Sequence, residues 1–106
     1  MLNINNSIPA GRRTFTQSLV AAGLASGGLL STDVNRVAFT ISPGTAGRCS
    51  ISAVAAAVLD TGISIPAAGQ PVTVTTDMVG RTLMQGVWNI IAASAGNVAL
   101  LQTRDL

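Results

Sequence analysis

Few residues in this chain can do chemistry. Its 106 residues include six Arg, four Asp and one Cys, and no Lys, Glu, His or Tyr. Asp60-Thr61-Gly62 is the sharpest candidate. A carboxylate in such a turn acts as an acid or base on water when a second carboxylate shares its proton. Cys49 follows Arg48, whose charge favours a thiolate. Consecutive strand residues point to opposite faces, so the sequence instead predicts a buried, inert thiol. Gly44-Thr45-Ala46-Gly47-Arg48-Cys49-Ser50 has the glycines of a phosphate-cradling loop without its Lys, and reads as a β-hairpin turn. Arg12 and Arg13 are the only adjacent cations.

The absences exclude more than the candidates suggest. Without His there is no Ser-His-Asp or Cys-His couple, and the commonest zinc ligand is missing. Without Lys there is no Walker loop and no Schiff base. One Cys allows no disulfide within the chain. No enzyme, cofactor or metal site is expected. The pI of 10.1 comes from six Arg over four Asp, with two Phe and one Trp as the only aromatics. That is not the basic, aromatic-lined surface of a nucleic-acid binder. The longest uncharged run, Thr82–Thr103, is broken by Gln85, Asn89, Ser94, Asn97 and Gln102, so no membrane span is expected.

Two local resemblances bear on these candidates. Val58–Gly62 resembles the nucleophile-activating loop of retroviral-type aspartic proteases, which are small all-β homodimers, and Met78–Met84 resembles their apolar-Gly-Arg segment. The resemblance implies a dimer in which Asp60 of each subunit shares one proton. Asp-Thr-Gly is also an ordinary turn before a strand. Only 17 residues separate Gly62 from Gly80, too few for a flap and the strands between. The turn is the reading adopted, with the protease as an alternative. Gly11–Leu30 resembles a twin-arginine export signal, with Arg12, Arg13 and Phe15 in order. It lacks an A-x-A cleavage site, so it reads as an arm leading into a strand.

The elements that must position these residues are mostly strands. Residues 1–12, with three Asn, Pro9 and Gly11, form an extended N-terminal arm, and residues 13–106 form a single β domain. Phe15 between two Thr starts a strand, while Leu19–Leu30 is divided between strand and a glycine-weakened helix. Arg36–Ser42 alternates cleanly, with Val37, Phe39 and Ile41 on one face. Arg48–Ala53 alternates as well, and then becomes Ala-rich. Ile63–Ile65 and Val72–Thr76 are short strands, and Gly80 bends the chain between Asp77 and Arg81. Leu83–Ala93 is apolar on both faces, as in a central strand. Ser94–Asn97 reads as a hairpin turn, with Val98–Thr103 the return strand. With 29 β-branched residues (ten Val, eight Ile, eleven Thr), the fold class is all-β: an antiparallel β-sandwich or small β-barrel.

A domain standing alone in water carries roughly 25–35% charged residues on its surface. Only 9% of this chain is charged. Interfaces are poor in Lys, Glu and Asp and relatively rich in Arg. The composition therefore predicts an obligate oligomer or a part of a larger assembly. Trp88, among Val87, Ile90 and Ile91, is either a core anchor or a plug between subunits.

Val79–Leu101 carries the fullest resemblance. Gly86-Val87-Trp88-Asn89-Ile90-Ile91-Ala92, then Ala95-Gly96-Asn97, then Val98–Leu101, resembles the "G-x-W-x-I-A" strand, turn and final strand of small tailed-bacteriophage virion proteins. The resemblance implies a structural virion protein at the phage capsid surface. The closest kind is a capsid decoration (cement) protein, a homotrimer bound to the major capsid protein. A tail or head-fibre component is the alternative. Arg12, Arg13, Phe15 and Trp88 are the expected capsid- or subunit-contacting residues. In this reading the arm adds a strand to a neighbour, and Arg12 and Arg13 pair with acidic groups of the shell.

Overall fold

A computed structural model describes residues 13–67 and 70–105. The arm assigned to residues 1–12, Arg12 with it, lies outside the described residues. In chain order the described elements are β1 (Arg13–Ala22), β2 (Gly27–Leu30), β3 (Arg36–Ser42), β4 (Cys49–Ala53), β5 (Ile63–Ile65), β6 (Val72–Thr75), α1 (Thr76–Val79), α2 (Arg81–Gln85), β7 (Trp88–Ala92) and β8 (Gly96–Asp105). They make two antiparallel four-stranded sheets. The first runs β1-β8-β3-β6 and the second β2-β7-β4-β5. The sheets pack face to face as an all-β sandwich, and neither closes into a barrel.

The period-2 pattern of the sequence builds the core directly. Phe39 and Ile41 of β3, Val74 of β6, and Val98 and Leu100 of β8 point inward from the first sheet. Cys49 and Ile51 of β4, Ile65 of β5, and Trp88, Ile90 and Ala92 of β7 meet them from the second. Each large apolar side chain buried there contributes about 1.5–3 kcal/mol.

The chain changes sheet at nearly every connection, and only β4 and β5 are successive strands of one sheet. The expected hairpin turn at Gly44–Ser50 is therefore corrected, since β3 and β4 lie in different sheets, and so is the one at Ser94–Asn97. Its two flanking strands belong to different sheets, and the turn carries the chain from β7 across the core to β8. Main-chain packing fixes this arch. A Cβ on Gly96 would stand 2.6 Å from the Thr45 carbonyl carbon, and one on Gly44 (φ 51°) 2.3 Å from the Asn97 oxygen. Glycine alone permits that approach.

Two further expectations change. Leu83–Ala93 is not one strand. Arg81–Gln85 is helical, Gly86 ends the helix, and the strand begins at Trp88. Leu, Met, Gln and Arg are all good helix formers, which local propensity favours over the apolar run. The Leu19–Leu30 ambiguity resolves as strand to Ala22, a bend, and strand again from Gly27.

Candidate functional site

Arg36 is the most deeply placed charge, at 2% exposure. Its Nε donates to the Met84 carbonyl at 2.9 Å. Nη1 and Nη2 both donate to the Ser31 carbonyl, at 3.0 and 2.7 Å, and Nη2 also donates to the Gly86 carbonyl at 2.8 Å. These acceptors include the end of α2, where a cation satisfies free carbonyls. Burial pulls the guanidinium below its ordinary pKa; Asp33 opposes that shift and Arg104 adds to it. With every nitrogen engaged by main chain, Arg36 is a structural bolt and offers nothing to a ligand. The sequence concealed it, since a charge at the start of a strand reads as exposed.

Asp60 lies in the predicted turn, with φ at 66°. Its carboxylate accepts from Arg48 Nε at 2.7 Å and Nη2 at 3.2 Å, and its N–H donates to Ser50 Oγ at 2.8 Å. The ion pair is about half exposed on each side. A shared-proton dyad needs two carboxylates side by side. The group facing the Asp60 carboxylate here is the Arg48 guanidinium, not a second carboxylate. Cys49 is fully buried, and burial pushes its thiol pKa up. Among the described residues, no cluster of three or more His, Cys, Asp or Glu could hold a metal, and no helix is long and apolar enough to cross a membrane.

The outer faces of the two sheets differ. The second is partly covered by the chain itself. The segment after β4 folds over it, Asn89 Nδ2 donates to the Val54 and Ala55 carbonyls, and Ser50 is fully buried beneath Asp60. The first sheet's outer face has no such cover among the described residues. Pairing registers place Phe15, Gln17 and Leu19 of β1 beside Thr103, Leu101 and Ala99 of β8, which in turn lie beside Ala38, Thr40 and Ser42 of β3. Thr73 of β6 completes the row, its hydroxyl 2.8 Å from that of Thr40. No charged side chain stands in this field. The nearest charges, Arg13 and Asp105, close one end as a 3.0 Å ion pair. A shallow groove of about 530 Å³ runs between Leu19, Thr40 and Leu101.

The structure therefore separates the expected contact residues. Phe15 and Arg13 lie on the open sheet, with Phe15 68% exposed. Trp88 is 2% exposed, and its Nε1 donates to the Leu83 carbonyl at 2.9 Å. Of its two sequence readings it takes the core anchor, and so it is withdrawn as a contact residue. Sequence reasoning overlooked Gln17 and Leu19. Their alternation with Phe15 was the available signal, masked by the glycines that follow. No family model matches the chain, and no curated protein or solved structure matches it.

Proposed function

We propose that this chain is a structural protein of a tailed-bacteriophage virion, a capsid decoration protein that lies on the shell of major capsid protein and stabilises it. The observation that carries this reading is the open outer face of the first sheet. It spans four strands without a charge and presents Phe15 and Leu19, 68% and 71% exposed. Such a face suits contact with protein better than contact with water. Arg13, half exposed at one end of it, supplies a guanidinium for acidic groups on the shell. Many copies on a repeating lattice act together, so each contact can be weak. Self-association, as the homotrimer that the resemblance implies, raises that avidity further.

The test is the number of copies per purified particle, measured by quantitative mass spectrometry, together with binding of the purified chain to shells that lack it. Hundreds of copies and saturable binding support the shell assignment. A handful of copies moves the chain to the tail or a head fibre. Absence from particles, with no binding to shells, overturns the virion reading. Phe15→Ser combined with Leu19→Ser should leave the fold intact and weaken attachment at least tenfold.

A further inference from the structure

The edge of a sheet presents unpaired N–H and C=O groups that another strand can take up, and proteins blunt such edges by shortness, Pro or bulges. Among the described residues four strands form edges: β1 and β6 in the first sheet, β2 and β5 in the second. Three are blunted. β5 has three residues and runs into Pro66, β6 has four and follows Pro71, and β2 has four with a register shift between Gly28 and Leu30. β1 has none of these devices. It keeps unbroken register with β8 over ten residues, and contains neither Pro nor Gly. Its single charge, Arg13, is tied to Asp105. Among the described residues no strand pairs with its outer edge.

The side chains of β1 are also arranged symmetrically. Phe15 and Leu19 stand two residues to either side of Gln17, on the same face, and all three are exposed. Directly opposite residues of an antiparallel pair share a face. A second β1 turned about a two-fold axis at Gln17 therefore sets Phe15 of each copy against Leu19 of the other. Thr16 then meets Ser18, Thr14 meets Val20, and Arg13 meets Ala21, so no charge faces its twin. An axis at Ser18 would leave Phe15 against Ala21 and Leu19 against Gln17, with both apolar pairs lost. An axis between two residues would bring outward side chains opposite inward ones.

We infer that β1 is a contact between two copies of this chain, paired antiparallel about Gln17. The pairing joins two four-stranded sheets into one continuous sheet, whose outer face carries charge only at the Arg13–Asp105 pair of each copy. It does not depend on the virion reading. Being two-fold, it also leaves any three-fold ring to close through another surface.

The full-length chain carrying Gln17→Cys tests the register. Opposed Cα atoms in such a pair lie about 4.5–5.5 Å apart, within reach of a disulfide. The native Cys49 is fully buried and does not compete. Mild oxidation should yield a covalent dimer that a reductant reverses, whereas Ala99→Cys, exposed on the central strand of the same face, should stay uncross-linked. Gln17→Lys places two ammonium groups opposite each other and should halve the sedimentation mass, while Ala99→Lys leaves it unchanged. Far-UV circular dichroism spectra of the folded chains should match the parent for all four variants, so that a change in assembly is not a failure to fold. No dimer from Gln17→Cys, or a mass that Gln17→Lys does not alter, would overturn the contact. So would a cross-link that forms only after residues 1–12 are deleted, since the edge would then be occupied by the chain's own N-terminal segment.

Discussion

The Trp88 indole meets the Phe39 ring edge to face, with centroids 5.0 Å apart and planes at 69°. Phe39 belongs to the first sheet and Trp88 to the second, so this contact ties the two layers of the sandwich from inside. Aromatic pairs of this geometry are worth about 0.5–1.5 kcal/mol beyond the area they bury. Trp88→Ala should cost about 3–5 kcal/mol in urea unfolding. Trp88→Phe retains much of the packing but loses the hydrogen bond to the Leu83 carbonyl, worth about 1 kcal/mol. Because the indole is buried, the folded Trp88→Phe chain should attach to its partners as the parent does; weakened attachment would return Trp88 to the interface.

Arg36 supplies the second prediction. Arg36→Leu leaves the carbonyls of Ser31, Met84 and Gly86 facing an apolar side chain. The expected loss is about 3–5 kcal/mol, read as a shift in the denaturant midpoint. Arg36→Lys should recover only part of it, because one ammonium cannot span acceptors that the planar guanidinium reaches together. Full recovery by Lys would show that charge alone is needed.

Acid should weaken the fold through Asp33. Hydrogen bonds from Arg104 hold this carboxyl below the usual carboxylate range; burial opposes them, and the Asn35 N–H at 3.0 Å adds to them. A carboxylate depressed in the folded state contributes stability that is complete above its unfolded value and is lost as pH falls through the folded one. Stability should therefore hold from neutrality to about pH 4 and decline below it. Asp33→Asn should be less stable at neutral pH and should fall less steeply in acid. Parallel curves for the two chains would remove Asp33 from the acid response.

Val54 predicts a gain. It is a β-branched residue at φ 68°, held there as its N–H donates to the Val87 carbonyl at 2.8 Å. A left-handed conformation costs an L-residue about 1–2 kcal/mol. Glycine avoids this but loses about 0.5–1 kcal/mol in chain entropy. Val54→Gly should therefore stabilise by up to about 1 kcal/mol, raising Tm by no more than about 4–8 °C in calorimetry. A lower Tm would mean that the exposed isopropyl group packs more usefully than its surroundings indicate.

How much of this was legible in the sequence follows from how local each feature is. Phe39 and Ile41 announce a strand by their own alternation, and Val98 and Leu100 do the same, because inward and outward faces differ within a few residues. Ile63–Ile65 is bracketed by Gly62 and Pro66 and could be read directly. The assignment of strands to sheets was not legible. The turn before Gly96 looks like a hairpin until the backbone at Thr45 and Ala46 is known to press against it. Arg36 was hidden for a similar reason, since two of its acceptors lie 48 and 50 positions away. Of the open face, Phe15 and Arg13 were legible as candidates. Gln17 and Leu19 emerged only when pairing with β8 showed which side chains stand beside them.

The ion pair between Arg13 and Asp105 joins residues 92 positions apart, at the far end of the β1–β8 ladder. The earliest strand described here therefore waits for the latest before its sheet can form, and nearly every other connection also crosses between layers. A nascent chain emerging from the ribosome cannot assemble this sandwich piecemeal. It has to condense after almost all of it has been synthesised, with the slow kinetics that long-range pairing imposes.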